Sequence, residues 1–270
     1  MKTVAIIQAR YSSSRLPGKV LLSIGEKPML AWVVERTRRA QLVDEVVVAT
    51  TTDETDDAVA EMCNQHGYPC FRGSLFDVLD RYYQTALFFK ADTVVRITAD
   101  CPLIDPFEID HTLEVFLQCK ADFAANRLPP PFRRTYPIGL DTEVCSFAAL
   151  AYAWQKADKP YQREHVMPFI YEDAVANQPN NLCEPCMVFD KAQFKVVLIN
   201  HEPDYGAMRW TVDTQQDLDL VRAIVKRFNG RDDFSWTEVL DLLNREPHLM
   251  KINADVQHKT MVDIDHRNQV

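Results

Sequence analysis

The chain has no surplus of positive charge: 39 acidic against 30 basic residues leave a formal charge of -9 over 270 residues. That balance argues against a general nucleic-acid or membrane-surface binder. No uninterrupted apolar run approaches the ~20 residues of a membrane span, and no N-terminal stretch joins a basic start to an apolar core of signal-peptide length. The expectation is a soluble, cytoplasmic protein. The seven cysteines are odd in number and scattered through apolar surroundings such as Glu61-Met62-Cys63 and Val144-Cys145-Ser146, so no disulfide framework is expected. Cys183-Glu184-Pro185-Cys186 has metal-binding spacing, but no second pair lies at a matching distance and zinc needs four ligands. These read as reduced thiols. Internal repeats and low-complexity tracts are also missing.

What is present is alternation. Apolar runs of strand length alternate with amphipathic stretches of helix length, the pattern of an α/β sheet with helices on its faces. Strands are expected at Thr3–Ala9, Glu45–Thr51, Thr93–Thr98, Glu143–Cys145, Lys195–Ile199 and Arg209–Val212. Helices are expected at 28–40, 54–66, 75–89, 106–119, 147–157, 215–228 and 236–244. At 47% hydrophobic, such a chain can bury the core of one large domain, here residues 1–245, with an arm over 246–270 that is ordered only if it docks on the body or on a second subunit. Pro129-Pro130-Pro131 and Pro137 break the alternation, so about residues 127–140 should form a rigid loop that covers a site or makes an interface.

In an open α/β sheet, ligands bind beyond the carboxyl ends of the strands. After the first strand, "QARYSSSRLPGKVL" places Arg10, Arg15, Gly18 and Lys19 on a Ser-rich, Pro-Gly loop. Cationic side chains with free amide donors suit a polyphosphate. The spacing is not that of a P-loop, and a solvated basic turn fits the composition equally. Asp100 follows the third strand and Asp213 ends "WTVD"; two such carboxylates can meet across one Mg2+. Asp213 reads as well as a helix N-cap. In "YQREHV", His165 is a general base, a substrate hydrogen-bond donor or a buried structural imidazole.

Together these stretches resemble the nucleotide-sugar cytidylyltransferases, the family of the acylneuraminate and 3-deoxy-manno-octulosonate enzymes, and most of all their spore-coat-polysaccharide branch. The likeness runs in order through "IIQARYSSSRLPGKVL", "VVVATTTDETDD", "FRGSLFDVLDRYY", "VVRITADCPLI", "YPIGLDTEVCSFAAL", "QREHVMPFI" and "WTVDTQQDLDLV". It implies a three-layer α/β/α, mostly parallel, Rossmann-like sheet of the nucleotide-diphospho-sugar-transferase (GT-A-like) type. It further implies transfer of CMP from CTP to an anionic sugar or polyol acceptor, with release of pyrophosphate, in surface-glycan precursor synthesis.

By the same resemblance Arg10, Ser12, Arg15 and Lys19 hold the triphosphate. Gln8, Ala9, Thr50, Arg72, Gly73, Asp77 and Val78 line the rest of the nucleotide. Asp100 and Asp213 hold Mg2+, with Arg10 and Lys19 joining them in the catalytic set. Asn126, Arg127, Asp141, Glu143, Arg163 and His165 face the acceptor. A homodimer is implied as well. Two rivals stand beside this reading. A glycosyltransferase of related fold would carry an Asp-x-Asp metal motif after a strand, but Asp217-Leu218-Asp219 falls in a helix-patterned stretch. A non-catalytic nucleotide-binding subunit would keep the loop and release no pyrophosphate.

Overall fold

The computed structural model describes residues 1–172, 175–176, 186–191 and 194–257, the second and third of these stretches by backbone alone. Cys183, the side chain of Cys186 and the end of the arm beyond residue 257 therefore lie outside what is described. The first half alternates as its pattern requires: β1 (Thr3–Gln8), a small hairpin of β2 (Ser23–Ile24) and β3 (Lys27–Pro28), α1 (Met29–Thr37), β4 (Glu45–Thr51), α2 (Asp57–Gln65), β5 (Cys70–Gly73), α3 (Val78–Phe88), β6 (Thr93–Thr98) and α4 (Pro106–Gln118). The second half contains β7 (Phe123–Ala125), β8 (Glu143–Ser146), α5 (Phe147–Lys156), α6 (Pro160–His165), α7 (Pro168–Tyr171), β9 (Val175–Ala176), β10 (Cys186–Lys191), β11 (Phe194–Ile199), α8 (Gln215–Arg227) and α9 (Trp236–Arg245).

One nine-stranded sheet runs in the order β5-β4-β1-β6-β8-β7-β11-β10-β9. Only β8 and β10 oppose the other strands, so the sheet is mostly parallel. A central parallel strand is buried on both faces and reads as a continuous apolar run. In β1, Ala5 and Ile7 pack with α1, α2, α4, α8 and α9, while Val4 and Ile6 pack with α3, α5 and α7. These two cores make the three layers. Polar side chains stop the helices from fraying at their starts: Asp77, Asp105, Ser146, Thr214 and Ser235 each accept a backbone N–H in the first turn.

The chain leaves β1 toward β4 and β5, then returns to place β6 on the other side of β1. The crevice beyond the carboxyl ends of β1 and β6 is thus the switch point where such sheets bind ligands.

One expected strand differs from the structure, two short strands went unread, and the arm meets its condition for order. Arg209–Val212 is extended but is no sheet strand: it makes one bridge, Arg209 with Ile138, and Trp210 and Thr211 donate their N–H groups to the Ile138 carbonyl at 2.7 and 3.0 Å. The partner is a loop, because Gly139 at φ +112 lets the proline-rich segment lie flat against Trp210–Thr211. Secondly, β5 and β7, of four and three residues, were too short to show a period. Thirdly, the arm docks at its start on the body, with Leu249 2% and Asn253 7% exposed.

Gly139 carries a testable consequence. A Cβ there would lie 2.6 Å from the Thr211 nitrogen on a left-handed backbone. Gly139→Ala is expected to cost about 3 kcal/mol through combined strain and overlap. Calorimetric unfolding checks this, and an unchanged melting temperature contradicts it.

Candidate active site

The loop after β1 is shaped from two sides. Asp56, 1% exposed and missed in the sequence, accepts the Tyr11 N–H at 2.5 Å and the Thr51 hydroxyl. At the far end Gly18, at φ +67, donates to the Tyr11 carbonyl at 2.8 Å, and a Cβ there would meet the Tyr11 ring at 3.0 Å. The turn therefore closes tightly and delivers Lys19, 8% exposed, into the crevice.

Lys19 is where the separate motifs meet. Its ammonium donates to Asp100 Oδ2 at 2.8 Å, to Asp213 Oδ1 at 2.9 Å and to the Val212 carbonyl at 2.8 Å. All three ammonium donors are engaged. The two aspartate segments are also stitched directly: Val212 N–H donates to the Asp100 carbonyl at 2.8 Å and the Thr211 hydroxyl to the same oxygen at 3.2 Å. Beside them the Cys101 thiol donates to Asp100 Oδ1 at 3.6 Å. Arg15 reaches Asp213 Oδ2 at 2.7 Å, and Arg209 reaches the same oxygen at 2.8 Å. Asp213 thus carries three cationic partners.

These contacts set the charge states. Burial works against the Lys19 charge, but Asp100 and Asp213 outweigh it and hold the ammonium above its ordinary range. Burial likewise disfavours the Asp213 carboxylate, yet Lys19, Arg15 and Arg209 pull its pKa far below the usual value. Asp213 is accordingly a poor proton acceptor near neutral pH, which weighs against a role as the base for an attacking oxygen.

A stability prediction follows with a definite sign. A carboxyl depressed in the folded state stabilises fully above its unfolded pKa, about 3.9, and loses that contribution as pH falls toward the folded value. The melting temperature should therefore drop between about pH 4 and 2, and Asp213→Asn should flatten that drop. Parallel curves for the two proteins would contradict the assignment.

The remaining residues expected at the nucleotide divide by what they touch. Gln8 Oε1 and Thr50 Oγ1 are buried without a partner among the described residues, and Ala9 donates its N–H to the Ala49 carbonyl at 3.1 Å. Arg10 stands near enough to Arg81 to disfavour the charge there, although burial is the larger cause of the lowered Arg81 pKa. Ser12 is half-buried on the loop. Arg72 donates to the Thr51 and Asp53 carbonyls at 2.7 and 3.0 Å, clamping the end of β4. Gly73 accepts the Thr52 N–H at 3.0 Å. Asp77 caps α3, where Val78 is the first residue, and its other oxygen pairs with Arg163.

Residues expected at the acceptor fall into three groups. Asn126, 1% exposed, gives both ends of its amide to the loop backbone, donating to the Leu140 carbonyl at 2.8 Å and accepting the Thr142 N–H at 2.9 Å. Asp141 takes a two-pronged ion pair from Arg134 on the proline-rich loop. Glu143 pairs with Arg96 at 2.5 Å, close to a half-buried His165. Burial first, then Arg96, pushes the His165 pKa down, so its imidazole is neutral at neutral pH. Arg127 is half-buried nearby, whereas Arg163 belongs to the Asp77 pair.

Sequence reasoning missed Arg209, Asp217 and Asn253. Asp217 was legible as an acid in the first turn of α8, but its complete burial against Arg209 was not.

The donor set at the crevice suits a divalent cation. Asp100 and Asp213 aim oxygens at one point, now marked by the Lys19 nitrogen. Among the described residues no group of three or more His, Cys, Asp or Glu side chains could hold a metal. Two converging carboxylates without a third protein ligand fit Mg2+, which usually keeps waters and substrate phosphates in its shell.

Comparison with known proteins agrees with this geometry. A family model described as cytidylyltransferase matches residues 4–232. The spore coat polysaccharide biosynthesis protein SpsF of Bacillus subtilis is 31% identical over 250 residues, covering 90% of this chain and 94% of that protein. The 3-deoxy-manno-octulosonate cytidylyltransferase of Trichlorobacter lovleyi is 40% identical over 119 residues, 43% of this chain and 46% of that protein. A cytidylyltransferase structure from Leptospira borgpetersenii superposes with a TM-score of 0.82 at 30% identity, covering 96% of this chain and all of that one. Fold, switch-point crevice and family match converge on one identification: this chain belongs to the cytidylyltransferase family and is a nucleotidyltransferase.

Proposed function

We propose that the protein transfers CMP from CTP to an anionic sugar or polyol acceptor, releasing pyrophosphate, with Mg2+ between Asp100 and Asp213. The observation that carries this reading is the meeting of Arg15, Lys19, Asp100 and Asp213 at the switch point. A basic loop and two converging carboxylates are the complement of a triphosphate with a divalent cation.

The chain's own residues do four things. Arg10, Arg15 and Lys19 neutralise the β- and γ-phosphates, and to do so Arg15 and Lys19 exchange their present carboxylate partners for phosphate oxygens. That exchange leaves Asp100 and Asp213 facing a cation rather than an ammonium. Mg2+ bound there would supply charge neutralisation at the α-phosphate, where negative charge builds during attack. Arg72 and Asp56 hold the backbone of the loops that border the nucleotide. On the acceptor side, Arg127, Arg134 and the neutral His165 offer charge and a hydrogen-bond acceptor to an anionic, hydroxyl-bearing molecule. In-line alignment then does most of the work, since phosphoryl chemistry leaves little covalent role for the protein.

The spore-coat-polysaccharide relative supports a sugar or polyol destined for a surface glycan. The octulosonate enzyme supports a sugar acid, but its likeness spans under half of this chain. The glycosyltransferase alternative gains nothing, because Asp217 of its Asp-x-Asp is fully buried against Arg209. The test is pyrophosphate release from CTP and Mg2+ across keto-deoxy sugar acids, sugar phosphates and polyol phosphates. Release with CTP and one acceptor class is expected; liberation of a nucleoside phosphate from a finished nucleotide sugar would overturn the reading.

A further inference from the structure

Behind Asp213 lies a buried chain of contacts that ends in the C-terminal arm. Arg209, 8% exposed, donates Nε to Asp217 Oδ1 at 2.9 Å and Nη2 to Asp217 Oδ2 at 3.1 Å, so both Asp217 oxygens fix the guanidinium plane. From that fixed plane Nη2 also reaches Asp213 Oδ2 at 2.8 Å. Asp217, with no exposure, holds the backbone too: Oδ2 accepts the N–H groups of Asp213 and Thr214, each at 3.0 Å. Asn253 closes the set from the arm. Its amide donates to Asp217 Oδ1 at 2.9 Å and to the Arg209 carbonyl at 3.1 Å, gripping both members of the buried pair.

We propose that Asn253 and Asp217 are positioning residues for Asp213, so that the C-terminal arm completes the cation side of the active site. The proposal rests on the functional reading above. Arg15 and Lys19 are needed by the triphosphate, and once they turn to it Arg209 is the partner still fixed on Asp213. Arg209 is held back from following them, because its Nε and Nη2 donors are fixed on the buried Asp217. Asp213 therefore keeps one orientation through the exchange, and that orientation depends on a neutral amide delivered from the far end of the chain. Without Asn253 a buried carboxylate oxygen and a buried carbonyl each lose a donor, and the Asp217 carboxylate that orients the guanidinium is held less firmly. A second tie points the same way: Arg15 Nη1 donates to the Gln257 carbonyl at 3.4 Å.

The test compares the full chain with Asn253→Ala and with Arg227→Ala, which removes the exposed Arg227–Glu246 ion pair at the start of the arm and a bond to the Ala223 carbonyl within α8. CTP binding is titrated calorimetrically at rising Mg2+ with no acceptor present, and amide hydrogen exchange is followed at Asp213 and Thr214. Loss of an outer partner of a metal ligand typically weakens metal binding about 10- to 100-fold. Asn253→Ala should need about 10-fold more Mg2+ to reach half of the affinity gain, with CTP affinity in the absence of Mg2+ within about twofold of the parent. Its Asp213 and Thr214 amides should exchange about 10-fold faster, and Arg227→Ala should match the parent in both readouts. Asn253→Ser, whose single hydroxyl can replace at most one of the two donated bonds, takes the place of the alanine variant if that does not fold. An unchanged Mg2+ requirement in a folded variant overturns the proposal. A parent that binds no CTP with Mg2+ overturns the functional reading instead; in that event unchanged exchange at Asp213 and Thr214 overturns the positioning role, and faster exchange upholds it.

Discussion

Asp100→Ala is expected to lower pyrophosphate release by about 1000-fold or more while the melting temperature hardly moves. A 1000-fold loss corresponds to about 4 kcal/mol of transition-state stabilisation, the scale of removing a metal-bearing carboxylate. The fold tolerates the change because the Asp100 side chain is 26% exposed and Lys19 keeps Asp213 and the Val212 carbonyl as partners. Steady-state pyrophosphate assay with parallel calorimetry checks both halves. Normal turnover in the folded variant would remove Asp100 from the cation site.

Lys19→Met should show the opposite combination, a loss of both nucleotide affinity and stability. Losing a charge-assisted contact to phosphate costs about 1.5–3 kcal/mol, so CTP affinity should fall about 10- to 100-fold. The stability cost has a separate origin. Lys19 is the shared counter-charge of two carboxylates, and removing it leaves them facing one another across the Val212 carbonyl. Breaking a fully buried pair costs about 3–5 kcal/mol. Asp100 and Asp213 are 26% and 20% exposed, so solvent screens part of this. About 2 kcal/mol is expected, or roughly 4–8 °C in melting temperature. Calorimetric CTP titration and thermal unfolding measure the two effects, and unchanged values for either would contradict the dual role of Lys19.

The contrast between these variants reflects how the site is built, and it also explains how far the sequence could be read. β1, β4 and β6 were legible because each is a contiguous apolar run, and the loop of Arg10 to Lys19 because its charged and turn-forming residues are adjacent in the chain. Asp100 and Asp213 were legible for the same reason, as acids ending apolar runs. Their meeting was expected, but not what brings it about: Val212 donating to the Asp100 carbonyl and Gly139 admitting a loop beside Trp210. Arg209–Val212 looked like a strand because its side chains alternate into the core; its hydrogen bonds go to a loop instead. Asn253 gave no signal at all. A single amide in a weakly patterned arm acquires meaning only from the buried pair it reaches. The residues expected at the acceptor show the complementary limit: Asn126 and Arg163 were read as facing an acceptor, whereas the contacts they make are with loop backbone and with Asp77.

Thermal unfolding with Mg2+ and equal concentrations of CTP, UTP, ATP or GTP tests the central claim without knowledge of the acceptor. A nucleotide present at 100 times its dissociation constant adds about 2.7 kcal/mol to the folded state, a clear rise in melting temperature. The account predicts that rise with CTP, its loss in Lys19→Met, and smaller responses to the other three nucleotides. A rise with UTP or GTP and none with CTP would contradict it.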